Sequence, residues 1–247
     1  MALVVLLVSC EKKEINEPST FVTFQFSHNW DEIAVTKADF NALKFVNANG
    51  NRLSIERLRY LISNITLTNA ENTPLQIKAY NLVDVGENAG FNLQSDTAIP
   101  EGNYTLSFTF GLNAADNRDG VYKELNSVSF NVPEMLGGGY HFMQLDGKYL
   151  LATTQLANFN YHAIRAADIT DPINVVLQDT SFKVNLGKVT IKNNTVVEIK
   201  MNISEWFKNP NTWNLNILNT VLMPNFNAQL LMSENGKSVF SLGTVTP

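Results

Sequence analysis

Residues 21–35 read FVTFQFSHNWDEIAV. Val22, Phe24 and Phe26 alternate with Thr23, Gln25 and Ser27, the period-two pattern of a strand with one face buried. The run ends in His28, Asn29 and Trp30, followed by Asp31 and Glu32. The chain holds only three histidines and three tryptophans, and two of these scarce residues stand here one position apart. A polar turn with Trp30 folded over it accounts for the stretch. So does a metal-ligating His28 at a strand end.

The same alternation recurs outward from this stretch. LSIERLRYLISNITLTN (53–69) reads as a short turn followed by a strand, and YNLVDV, GNYTLSFTFGL, SVSFNV, GYHFMQLDGKYLL, NFNYHAIRAAD, INVVLQ, FKVNLGKVTIKNNTVVEIKMNI and SVFSLGTV read as strands between Asn, Gly, Asp and Pro. NANGN (47–51) is a turn, because Asn and Gly tolerate positive φ. Asn193-Asn194 reads as a type I′ hairpin turn. Helix is confined to two short C-terminal stretches. SEWFKNP (204–210) has a Ser cap, and NFNAQLLMSENG (225–236) is closed by Gly236. The expected fold is all-β, an antiparallel β-sandwich or barrel with one or two short C-terminal helices.

Composition narrows the function. A 45% hydrophobic and 17% charged chain of 247 residues is a folded globular protein. Its net charge of −5 and the lack of any Lys/Arg cluster with interleaved aromatics argue against nucleic acid as a partner. The one cysteine, Cys10, ends the apolar opening MALVVLLVSC, which resembles a bacterial lipobox. The apolar run is too short to span a membrane, which takes about 20 residues. This predicts a signal segment at 1–9, a lipidated Cys10 opening a polar tether at 10–20, and a single domain at 21–247, with the protein lipid-anchored at the outer membrane or in the periplasm.

Enzyme signatures are missing: no G-x-S-x-G, no P-loop, no H-E-x-x-H, and no nucleophile–base pair set by spacing. The chain reads as a non-enzyme. GENAG and GGGY lack the strand–loop–helix context of phosphate sites and read as turns. AADNRDG (114–120) has Asp116, Asn117, Asp119 and Gly120 but not the spacing or distal Glu of a calcium loop. The histidines, His28, His141 and His162, each stand on an aromatic strand stretch, and imidazole is the commonest ligand for copper and zinc.

Several stretches together resemble one family. LRYLISNITLTN, YNLVDV, IPEGNYTLSFTFGLNAADNRDGVYKELN, GGGYHFMQLDGKY, FNYHAI and the closing EWFKNPNTWNL…VLMPNFNAQLLMSENGKSVFSLGTV are similar, in order across about residues 21–245, to the MbnP-like copper-binding domain of bacterial periplasmic and outer-membrane lipoproteins. The resemblance implies an all-β fold and a mononuclear copper site with His28 and His162 as ligands and His141 as a strand position. It also implies an oxidised tryptophan, Trp30 by proximity, and a di-haem peroxidase-like partner of the MbnH type. Where the family often carries GM-x-W before GY, NVPEMLGGGY keeps Met135 without a tryptophan. With no cysteine ligand the implied site is imidazole-based and favours Cu(II) over Cu(I) unless an oxidised indole takes part. Two ligands of one ion, each about 2 Å from it, need nitrogens within ~4 Å of each other.

The expected function is therefore a copper-binding lipoprotein, a carrier or scavenger. The alternative is a metal-free adhesion or glycan-binding β-sandwich, with Trp206, Phe207 and Trp213 as an aromatic platform.

Overall fold

The computed structural model describes residues 18–247. Cys10, the segment 1–9 and most of the tether lie outside the described residues. Ser19–Thr20, at the tether's end, pair with Ile99–Pro100, so folded structure begins before Phe21. Of the described residues 44% are strand and 12% helix, in line with the all-β expectation.

Nine longer strands among the described residues build two sheets: β1 (Thr23–Trp30), β2 (Arg57–Thr68), β3 (Pro74–Asp84), β4 (Gly102–Phe110), β5 (Met143–Leu150), β6 (Leu156–Ala163), β7 (Phe182–Ile191), β8 (Val196–Asn202) and β9 (Phe240–Thr246). In the larger sheet β2 is the spine. One of its edges is covered by β3 from Arg59 to Thr68. Its other edge is divided, residues 57–60 pairing with β5 and residues 62–68 with β4. Leu61 sits at the fork, donating its N–H to the Phe142 carbonyl at 2.8 Å and accepting from Gly111 N–H at 2.8 Å. Beyond the fork β5 leads to β6 and β4 leads to β7. A strand with two partners on one edge must splay them apart, and the sheet curls into a half-barrel. Gly111 is required there. Its φ is +78°, and a Cβ would lie 2.4 Å from the Phe142 ring.

The second sheet runs β9-β8-β1, with short strands Ile33–Ala34 and Asn92–Gln94 pairing on β1. β1 and β8 are parallel, an exception to the antiparallel expectation. The reason lies at Asn193-Asn194, where the expected hairpin is absent. β7 pairs with β4, and β8 with β9 and β1. Only Asn194 of the two has positive φ, +59°, whereas a type I′ turn needs both. Thr195 Oγ1 instead donates to the Lys192 carbonyl at 2.7 Å and accepts the Lys192 N–H at 2.8 Å. That bonded pair makes an arch carrying the chain from one sheet to the other.

The two inner faces meet through aromatic rings. Phe240 of β9 lies 5.1 Å from Phe108 and 5.9 Å from both Tyr60 and Phe110, centroid to centroid. Trp206, Phe207 and Trp213 are also interior, each at most 1% exposed. Burying such rings contributes about 2–3 kcal/mol apiece, so the sequence's aromatic cluster is core and no sugar-stacking platform is formed there. The short helix predicted at 204–210 is a 3₁₀ turn, Ile203–Phe207, capped by Asn202 and not by Ser204. The second helix spans Phe226–Gly236 with Asn225 accepting from Ala228 N–H. Gly236 is its last residue, and its role is space, not a left-handed cap: a Cβ would lie 2.4 Å from Phe182 and 2.8 Å from Trp206.

The GGGY stretch is a turn, as its composition predicts, with φ of +88°, +61° and +79° at Gly137, Gly138 and Gly139. AADNRDG braces it. Asn117 Oδ1 accepts from Tyr140 N–H at 2.8 Å, and Asp119 Oδ1 from Gly139 N–H at 3.3 Å. Arg165 donates to the Gly137 and Gly138 carbonyls from the other side. A Cβ on Gly139 would lie 2.5 Å from Asn117 Oδ1. Gly139→Ala therefore combines left-handed strain with a clash and should cost about 2 kcal/mol or more, read as a fall in Tm of about 4–8 °C in a thermal melt.

Candidate metal centre

Burial on β1 alternates, with Phe24, Phe26, His28 and Trp30 all on the interior face. His28 Nε2 is 3.1 Å from Tyr60 Oη, and its ring is 5.4 Å from that of Phe91. Desolvation by burial pushes its pKa down to about 4, so His28 is a neutral core imidazole at pH 7. Trp30 lies against Phe45 at 4.9 Å and Phe207 at 5.7 Å. It is 6% exposed and packs as a core ring. Asp31 supplies no free negative charge beside it. The Lys208 ammonium and the Ser204 hydroxyl donate to its carboxylate and hold it below the usual range.

His162 occupies the other side of the large sheet. Directly paired residues of neighbouring antiparallel strands point to the same face, and successive residues to opposite faces. Tyr60, Met143 and Ala163 form one row across β2, β5 and β6, all buried toward the interior. The adjacent row is Arg59, Gln144 and His162, which therefore faces away. Arg59 Nε donates to Gln144 Oε1 at 2.6 Å along that outer row. His28 meets the inner row through Tyr60 and His162 belongs to the outer one. The structure does not bring the two expected ligands to one point.

It brings His162 to His141 instead. Their ring centroids are 5.3 Å apart, edge to face. His162 Nε2 lies 2.7 Å from Asp146 Oδ1, two positions along the outer face of β5. Burial raises the Asp146 carboxyl, but hydrogen bonds from His162, Asn160 and Arg57 outweigh it and hold the pKa at about 2. The ionised carboxylate accepts the Nε2–H, so in the neutral ring Nδ1 is the lone-pair nitrogen. Nδ1 has no hydrogen-bond partner among the described residues.

His141 follows the glycine turn, 4% exposed. Its Nδ1 is 3.0 Å from the Phe130 carbonyl and its Nε2 is 3.2 Å from Met223 Sδ. A carbonyl only accepts, so Nδ1 carries the proton and Nε2 the lone pair. Desolvation takes the pKa down to about 4, against the opposing Phe130 hydrogen bond; Arg59 and Arg57 also lower it. Met223 packs on a small apolar cluster of Val132, Leu136, Ile164 and Ala167. Gln229, 1% exposed, ties the parts together. Its amide donates to the carbonyls of His162 at 2.9 Å and Leu222 at 3.0 Å, and its oxygen accepts from Ile164 N–H at 2.8 Å.

Two imidazoles with their outer nitrogens fixed by acceptors, beside a thioether, are suited to hold a late first-row metal. Sequence reading singled out His162, placed His141 as a strand position only, and gave Met223 and Gln229 no role. Met223 precedes a helix more than 60 residues beyond His162, with no spacing to mark it.

The MbnP family profile matches residues 19–224. Among solved structures, MbnP from Methylosinus trichosporium is similar at 12% identity over 77% of this chain and 78% of that one, with a TM-score of 0.48. No curated protein matches the sequence.

The interior placement of His28 has a consequence for stability. Its folded pKa of about 4 lies below the ordinary ~6.5 of an unfolded histidine, so its contribution is complete above about pH 6.5 and is lost as pH falls toward 4. Urea denaturation at pH 7 and at pH 4.5 should show the parent losing more stability than His28→Gln, by up to ~3 kcal/mol.

Proposed function

The chain belongs to the MbnP family, and on that footing we propose that it binds copper, as a carrier or scavenger and not as a catalyst. The family is associated with copper handling in methanobactin systems. The lipobox-like MALVVLLVSC supports placing it on a lipid anchor, facing the periplasm or cell surface.

One observation carries the reading: the Asp146–His162 pair. A ligating imidazole usually donates its second nitrogen to a carboxylate or carbonyl, which fixes the tautomer, aims the ring and raises the basicity of the ligating nitrogen. His162 has that arrangement with an ionised carboxylate at 2.7 Å, and His141 has it with the Phe130 carbonyl at 3.0 Å. His141, its pKa pushed down to about 4 by burial, offers a lone pair on Nε2, and the His162 ring is its neighbour. The residues fit copper, which takes imidazole readily and needs no carboxylate cage. Bound there, the ion would be held for delivery or storage.

His28 and Trp30 have interior packing roles that need no metal. An MbnH-type haem partner would have to act on a core indole to modify Trp30, so copper binding is proposed on the histidine site without that modification.

Protein purified from copper-supplemented cells should carry stoichiometric copper by elemental analysis. His162→Ala should lose it, and Asp146→Ala, removing only the outer partner, should weaken copper affinity by about 10–100-fold. Metal-free wild-type protein that takes up no copper on addition of Cu(I) or Cu(II) would refute the reading.

A further inference from the structure

His141 Nε2 and Met223 Sδ face each other at 3.2 Å, and neither has a hydrogen to give. A thioether only accepts, weakly, and Nε2 has given its proton place to Nδ1, which serves the Phe130 carbonyl. Reversing the tautomer does not help, because Nδ1 would then set its lone pair against the carbonyl oxygen, the stronger acceptor. Two Lewis bases pointed at each other in a buried corner call for a cation that both can bind.

We infer that His141 Nε2, His162 Nδ1 and Met223 Sδ form a three-donor site for a single Cu(I) ion. The inference rests on the copper-binding reading and names its ligands and oxidation state.

The distances suit one ion. A separation of 3.2 Å is short enough that both atoms could bind one ion at ordinary metal–ligand lengths of about 2.0–2.3 Å. Two imidazoles that ligate one ion along their ring planes have centroids no more than ~6 Å apart, and these stand at 5.3 Å. The donor set selects the ion. Thioether sulfur is soft and favours Cu(I), while zinc and the harder divalent ions favour nitrogen, oxygen and thiolate. Local charge points the same way. Arg59 lies over the Phe130 ring at 5.3 Å, and Arg57 pairs with Asp146. Two guanidiniums around one carboxylate disfavour a dication more than a monocation. The lack of cysteine ligands pointed to an imidazole site for Cu(II); the Met223 thioether makes the inferred site a mixed nitrogen and sulfur one for the reduced ion.

Gln229 fixes the geometry without touching the metal. It bonds the carbonyls of His162 and of Leu222, the residue before Met223, and so holds two of the three ligand-bearing segments in register. It is a positioning residue.

The test uses the full chain carrying Cys10→Ser, which leaves methionine as the only sulfur. The protein is loaded with Cu(I) under anaerobic conditions and read by copper-edge X-ray absorption and by competition with a chromophoric Cu(I) chelator. The expected spectrum has one sulfur scatterer near ~2.3 Å with two imidazoles. Met223→Leu, close in size and only half-buried, should remove that scatterer. It should weaken Cu(I) more than the ~10-fold typical of losing an outer-shell partner, with Tm unchanged and Cu(II) affinity affected less. The wild-type spectrum stands even if a variant misfolds. A nitrogen- and oxygen-only shell, or copper affinity unmoved by both Met223→Leu and His141→Gln, overturns this site while leaving the copper reading intact. Absence of any bound copper overturns both.

Discussion

The divided edge of β2 is the constraint on which the structure depends. One strand accepts β5 along its first residues and β4 along its last, with Leu61 bridging to Phe142 and Gly111 at the fork. Backbone N–H and C=O groups buried at such a junction must be paired, and Leu61 pairs both of its own. The fork separates β5–β6 from β4–β7, bends the sheet into a half-barrel, and leaves an outer face beside β5 and β6 for residues 129–141 to cover.

That covering segment buries His141 beside the outer row of the sheet. Three left-handed glycines reverse the chain, the 116–119 loop and Arg165 clamp them from two sides, and His141 emerges directly over β6. Its own backbone N–H bonds the Phe130 carbonyl, the same oxygen that its Nδ1 contacts. The ring is thus aimed by main chain, while His162 is aimed by a carboxylate. Rigid main-chain and helix-based supports around a small donor set are what a selective metal site requires.

Electrostatics separates the three histidines by environment. His28 hydrogen bonds to one phenol in the core and is stripped of water. His141 is nearly as buried but has a carbonyl on one nitrogen and sulfur on the other. His162 keeps a charged partner and some solvent. Burial alone makes an imidazole neutral; His141 and His162 differ from His28 in having an acceptor that orients one ring nitrogen of each.

The sequence by itself determined what local periodicity encodes. Alternation in FVTFQFS, in RLRYLISNITLT and in NFNYHA fixed strands and their buried sides, Asn225 and its apolar followers fixed a helix, and GGGY fixed a turn. The order of motifs was enough to suggest the family. Which strands pair was decided by tertiary structure, because pairing depends on distant partners: the Asn193-Asn194 stretch has hairpin composition but became an arch between sheets. The site was only partly legible for the same reason. His162 was singled out through its motif, yet its neighbour His141 stands at a glycine-turn exit, and Met223, which meets His141, stands just before a C-terminal helix. Whether His28 or His141 stands beside it depended on the face of a sheet each side chain meets. A sequence fixes the parity of a strand, but only the packed fold fixes which two parities look at each other.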